Sequence, residues 1–253
     1  MHSGGTSIMN RTLNRNQIKY LAVLAMLIDH IAMFFLSAGL SEAAPSRIAV
    51  YSLMRVIGRL TAPIMLFFLV EGFTHTSSRK KYGIRLLGFG LISQIPYALS
   101  HYNSLLKPDF NVIITLFVTF LMLTAAESIR NRLVNRLTVF ALIMVTFCCD
   151  WSVIGPLIAW LFYMNRNDRQ AQMKYYSLIC AIQVVSAAVF LAMNGHHWYG
   201  ELWQAGMFLV IPVLLCYNGK SGSRSPVNKW IFYVFYPLHL LVFWVIKYYV
   251  LVG

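Results

Sequence analysis

The chain has 253 residues, of which 58% are hydrophobic and only 11% charged, and its mean hydropathy is +0.63. A soluble domain would carry about a quarter charged residues, so this composition excludes an ordinary soluble protein. The formal charge of +13 invites a nucleic-acid ligand, but the basic residues fall in short loops between apolar runs, and topology accounts for them better.

Nine apolar runs read as helices, at about 18–40, 48–73, 82–100, 111–127, 136–150, 151–164, 175–194, 202–217 and 230–252. Most have roughly the 18–25 residues needed to cross ~30 Å of hydrocarbon. The reading is therefore an all-α, polytopic transmembrane helical bundle of about nine spans. Residues 1–17 form a polar, flexible cytoplasmic lead, and 18–253 form a single transmembrane domain. Alternate loops hold sixteen of the twenty-one Lys and Arg residues, among them Arg11, Arg79, Arg132, Arg166 and Lys220. The remaining loops hold only Arg47 and Lys107, together with Glu42, Asp109, Asp150 and Glu201. Basic loops stay in the cytoplasm, which places the N-terminus inside.

The first run contains "LIDHIAMFF", with Asp29 and His30 side by side about halfway along. Neighbours on a helix lie ~100° apart, so the two side chains leave on different faces. Ionisable groups at mid-membrane are costly and are usually paired. A histidine with a carboxylate to fix its tautomer is the usual general base near neutral pH. The alternative is structural, with Asp29 neutralising a basic neighbour and His30 bonding to another helix.

The second run, "YSLMRVIGRLTAPIMLFFLVEGFTHT", carries Arg55 and Arg59 four residues apart and hence on one face. Inward-facing arginines must meet carboxylates, carbonyls or an anionic ligand. Asp29 is the expected partner of at least one. Gly58 allows close helix approach, and Pro63 can kink the helix and free a carbonyl. Glu71 and His75, again four apart, precede "SSRKKYGIR". Arg79, Lys80 and Lys81 are either an ordinary cytoplasmic loop or a receptor for the phosphates of a cytosolic ligand.

Farther on, Gln94 precedes Pro96 in the third run, and "CCDWSVIGP" reads as a tight turn on the acidic side. "YNGKSGSRSPVNKW" reads as a linker or mobile loop. The last run, "KWIFYVFYPLHLLVFWVIKYY", places Tyr236 and His239 near mid-membrane around Pro237. The four cysteines show neither CxxC pairs nor Cys/His metal spacing, so no metal site and no disulfide framework is expected.

The blocks "KYLAVLAMLIDHIAMFF" and "RVIGRLTAPIMLFFLVEGFTHTSSRKKYGIRLLGFGLISQIPYAL", with the late "KWIFYVFYPLHLL", resemble the TraX family of integral membrane proteins from about residue 19 to 245. The resemblance implies a multi-pass protein of the bacterial cytoplasmic (inner) membrane. It also implies acetylation of a pilin N-terminus, and a distant relation to transmembrane acyltransferases that draw on cytosolic acetyl-CoA. By that similarity the catalytic role falls on His30, with Arg55 and Arg59 near it, and the residue reading adds Asp29 and Arg59 to the catalytic group. On residue chemistry and position, Arg55, Arg79, Lys80 and Lys81 would bind the donor, and Glu71, Gln94, Tyr236 and His239 would contact substrate or support the site. The implied partners are membrane lipids and pilin or another secreted acceptor, with a homo-oligomer compatible and nucleic acid not. Two readings from other classes remain open: a small proton-coupled transporter, and a non-catalytic subunit of pilus or secretion assembly.

Overall fold

Polar residues at the run boundaries start many of the helices. In the computed structural model, which describes residues 11–107, 109–223 and 225–250, the first helix is α1 (Arg15–Ile31). It opens with a capping box: Asn14 Oδ1 accepts from the Gln17 amide, and the Gln17 side chain accepts from the Asn14 amide. A π turn, Ala32–Leu36, continues it. The following helices are α2 (Pro45–Gly58), α3 (Thr61–His75), α4 (Arg79–Tyr102) and α5 (Val112–Ser128). After them come α6 (Arg132–Val145), α7 (Ile154–Met164) and α8 (Arg169–Met193). A 3₁₀ stretch (Trp198–Leu209) leads into α9 (Val210–Leu215), and α10 (Pro226–Val245) ends in a second π turn. Ser78, Asn111, Asn131, Asp168 and Ser225 cap α4, α5, α6, α8 and α10 through their side chains.

The expected helical bundle is what forms, and no strand occurs among the described residues. Each of the nine apolar runs contains helix. Among the described residues, five stretches are long and apolar enough to cross a membrane: Arg15–Leu36, Pro45–His75, Arg169–Met193, Trp198–Leu215 and Trp230–Val250. At 11 residues α7 is about 16 Å long, roughly half the hydrocarbon thickness. It begins within the stretch 148–156 read as a tight turn, and the turn itself forms at Trp151 (φ 65°) and Ser152 (φ 33°), which both adopt the left-handed region. That conformation is costly for consecutive non-glycine residues and holds only where the surroundings enforce it.

The run at 48–73 is not one helix. It breaks at Arg59 and Leu60, four and three residues before Pro63. A proline ring clashes with the carbonyl four residues back and offers that carbonyl no N–H, so the break falls where Pro63 requires it. The break gives ten α-helices among the described residues from nine runs.

α3 is apolar around its whole circumference and is the central element, with Ile64, Leu66, Val70 and Phe73 almost fully buried. It packs against α1, α5 and α7. α8 carries an exposed apolar face at Leu178, Ile182, Val185 and Val189, as a lipid-facing helix does. Ion pairs Arg15–Glu71 and Arg79–Glu127 gather the basic ends of the helices at one end of the bundle.

Two boundaries differ from expectation. Residues 1–10 of the polar lead lie outside the described residues, but its last part is tied down. The Leu13 amide donates to the Cys216 carbonyl, Asn218 to Leu13 and Arg15 to Lys220. The same bonds pin the glycine-rich connector read as a linker or mobile loop. Gly222 (φ +76°) lies so close to Asn14 and Asn16 that a Cβ there would crowd both side chains.

Candidate functional site

The inner face of α1 is set by period. Ile18, Ala22, Ala25 and Asp29 follow one another at spacings of four, three and four, and all are buried. The same register that buries the apolar stripe therefore carries Asp29 into the bundle. There it meets the arginines of α2 and the break: Arg55 Nη1 at 2.9 Å and Arg59 Nη2 at 3.4 Å, both on Asp29 Oδ2. Gly58 makes this possible, because a Cβ at that position would occupy the space of the Asp29 side chain. Trp203, from the 3₁₀ stretch, lies over both guanidinium groups at 4.4 and 4.8 Å. Trp151 faces Arg59 at 5.2 Å. Gly206 sets the approach of the 3₁₀ stretch, seated against the Val56 carbonyl with no room for a side chain.

Hydrogen bonding here is only partly satisfied. Asp29 faces two arginines and Asp150 lines the same cavity, yet among the described residues Asp29 Oδ1, Arg55 Nε and Nη1, and Arg59 Nε are buried without a hydrogen-bond partner. Arg55 Nη1 is thus close to Asp29 Oδ2 without being aligned to it. Buried donors without acceptors are costly, and a bound anionic or carbonyl group would satisfy them.

His30 leaves α1 on the neighbouring face and does not contact Asp29. Its Nδ1 lies 2.9 Å from His239 Nε2, and His239 Nδ1 lies 2.8 Å from the Phe235 carbonyl oxygen. A carbonyl only accepts, so His239 Nδ1 carries the hydrogen. Neutral His239 then accepts at Nε2 from the N–H at His30 Nδ1. Neutral His30 is left with its lone pair on Nε2. The expectation that a carboxylate fixes the His30 tautomer is thus replaced by a histidine and a backbone carbonyl. Asp29 is already held by the arginines. A third histidine, His101 at the end of α4, sits edge-on to His30 with ring centroids 6.3 Å apart. Its Nδ1 is 3.0 Å from the Tyr97 carbonyl oxygen, so it too carries its hydrogen there.

These groups surround a cavity of about 200 Å³ lined by Asp29, His30, Arg55, Arg59, His101 and Tyr236, among others. It shares Met65 with a cavity of about 470 Å³ at the basic end. It shares Arg59, Tyr97, Asp150 and Trp151 with one of about 650 Å³ toward the opposite end. His101 and Trp203 are not recognisable in the sequence, and Trp151 reads there only as part of the outer turn. His101 reads as a loop residue, and nothing local marks a tryptophan 144 positions past Arg59 as its neighbour.

Other residues singled out from the sequence lie elsewhere. Glu71 accepts from Arg15 and from the Tyr217 hydroxyl at 2.7 Å. Burial, with Glu71 beside it, pushes that hydroxyl up to about 12, so it remains a donor. Gln94 holds the start of α5: its Oε1 accepts from the Asn111 amide and side chain, and its Nε2 donates to the Asp109 carbonyl. Arg79 is paired with Glu127 at 2.5 Å and stacks on Phe73. Lys80 and Lys81 are exposed on α4.

The model of the TraX protein family matches residues 14–247, the stretch that contains every group described above. The chain belongs to the TraX family. Among TraX-like relatives, the "Probable fimbrial assembly protein FimC, serogroup H1" of Dichelobacter nodosus is 32% identical over 235 residues, 88% of this chain and 91% of that protein. "Uncharacterized protein RP591" of Rickettsia prowazekii (strain Madrid E) is 26% identical over 186 residues, 71% of this chain and 65% of that protein. No solved structure matches this TraX chain.

Proposed function

We propose that this protein is an acetyl-CoA-dependent acetyltransferase of the bacterial inner membrane, and that His30 is its general base. The observation that supports this most directly is the chain from the Phe235 carbonyl through His239 to His30, which leaves a lone pair on His30 Nε2 in a residue that lines one cavity with the under-satisfied arginines. In the proposed step the amine or hydroxyl of the acceptor attacks the thioester carbonyl. A C–N or C–O bond forms as the C–S bond breaks. His30 Nε2 takes the proton of the acceptor and returns it to the departing thiolate. Arg55 and Arg59 face the oxygen on which negative charge develops. The positive-inside rule puts the basic end in the cytoplasm, where acetyl-CoA is available. The acceptor then enters from the opposite end, past Asp150 and Trp151. The name of the Dichelobacter relative favours a pilus subunit as that acceptor.

The test is transfer of labelled acetyl from acetyl-CoA to a pilin or its N-terminal peptide, comparing purified wild type with His30→Ala at matched folding. Transfer by the wild type and its loss in a folded variant are expected. Equal transfer by His30→Ala, or none by the wild type, overturns the proposal. The row His101, His30, His239 also suits a proton relay. On that reading, reconstituted protein would show pH-dependent flux without CoA.

A further inference from the structure

The cavity at the basic end is amphipathic. Its mouth is formed by Arg15 and Lys19 of α1, Arg85 of α4 and the connector that holds Ser221 and Ser223. Its floor is α3, with Ile64, Met65, Phe68 and Leu69 facing it. The three cations differ in state. Arg15 is neutralised by Glu71 at 2.5 Å. Lys19 lies over the Phe232 ring at 5.1 Å, and among the described residues no carboxylate lies within ion-pair distance of it. Arg85 sits between Tyr82 and Tyr233, at 5.2 and 5.6 Å from the ring centroids. Its Nε donates to the Tyr233 hydroxyl at 3.3 Å, and no carboxylate among the described residues pairs with it either. The tyrosines thus hold the guanidinium in place without neutralising it.

Two uncompensated cations above an apolar floor call for a ligand with phosphate at one end and a slender, less polar tail. The connector wall is fixed, because Ser223 accepts through its carbonyl from the Asn16 and Asn228 side chains. Met65, at the inner end of the floor, also lines the cavity of His30.

We infer that this cavity holds the phosphate-bearing end of the acetyl donor, with Lys19 and Arg85 as its charged contacts and the tail running along α3 toward Met65 and His30. This rests on the proposed acetyl-CoA activity. It replaces Arg79, Lys80 and Lys81 as the donor contacts, since Arg79 is committed to Glu127 and the lysines face outward. Phosphate on an extended tail is also the chemistry of an anionic phospholipid, and the experiment separates the two sources.

Full-length protein in nanodiscs of phosphatidylcholine is titrated with labelled acetyl-CoA and with acetyl-pantetheine, which lacks phosphate. Lys19→Gln/Arg85→Gln is expected to weaken acetyl-CoA binding roughly tenfold or more, as loss of charge-assisted contacts does, and to leave acetyl-pantetheine binding unchanged. Lys19→Arg/Arg85→Lys, which keeps both charges, should retain most of the binding and controls for folding. Arg79→Gln/Lys80→Gln/Lys81→Gln should bind acetyl-CoA within about twofold of wild type, as expected for exposed charges. If the neutral double variant binds acetyl-CoA as tightly as wild type while transfer still requires His30, this inference falls and the acetyltransferase stands. If wild type binds no acetyl-CoA, the acetyltransferase falls and the donor assignment with it. Retention of phosphatidylglycerol that depends on Lys19 and Arg85 would then assign the two cations to a lipid headgroup.

Discussion

Asp29→Asn keeps the shape of the side chain and removes its charge, so it isolates the electrostatic part of the central site. In the wild type the Asp29 carboxylate lies 2.9 and 3.4 Å from two buried guanidinium groups, and Asp150 lines the same cavity. At an effective dielectric of about 20, each attraction is worth about 4 kcal/mol between charges ~4 Å apart. The variant loses both and leaves Arg55 and Arg59 to repel each other. Water entering the cavity of about 200 Å³ offsets part of the loss. Removing one partner of a buried pair costs about 3–5 kcal/mol in practice, and that is the expected destabilisation. The assay is unfolding in mixed micelles, followed by tryptophan fluorescence across a series of SDS fractions. Asp29→Asn/Arg59→Met should regain about half of the loss, because it removes one of the two stranded cations. An Asp29→Asn protein within about 1 kcal/mol of wild type would refute the reasoning, since surface ion pairs behave in that way.

Gly58→Ala places a methyl group where the Asp29 side chain sits, and Gly206→Ala drives the 3₁₀ stretch off the Val56 carbonyl. Each should cost about 1–3 kcal/mol in the same assay, the range for overpacking a core, and an unchanged midpoint would show that the helices can part freely. His239→Phe removes the acceptor that orients His30, so the proposed acetyl transfer should fall roughly 10–100-fold, as when the group that orients a functional histidine is lost. The pH profile should change as well, because His30 is then free to adopt either tautomer. Unchanged rate and profile would separate His239 from the mechanism. Arg79→Ala breaks a half-exposed pair with Glu127 and should shift stability by no more than about 1 kcal/mol. A larger loss in unfolding measurements would mean that its stacking on Phe73 matters more than the charge.

Much of the architecture follows from local rules, and those are written in the sequence. Apolar runs mark every helix and Asn111 marks where α5 begins, whereas the caps Asn14 and Asp168 start α1 and α8 ahead of the runs read from 18 and 175. The stripe Ile18, Ala22, Ala25, Asp29 fixes the inner face of α1, and the four-residue spacing of Arg55 and Arg59 puts both arginines on a common side. Pro63 fixes the break at Arg59, although a proline alone does not reveal whether a helix bends or ends there.

Only the tertiary structure decides which faces meet. Asp29 and His30 are adjacent in the chain yet part company, one to the arginines and the other to His239, 209 residues away. Trp203 and His101 join the site, while Glu71 and Gln94 turn out to hold helix ends. The physical reason is that helical period is a property of about eleven to eighteen consecutive residues and determines only the direction in which a side chain leaves its own helix. Its neighbour is chosen by close approaches across the bundle, such as Gly58 to Asp29 and Gly206 to Val56, between segments far apart in the chain.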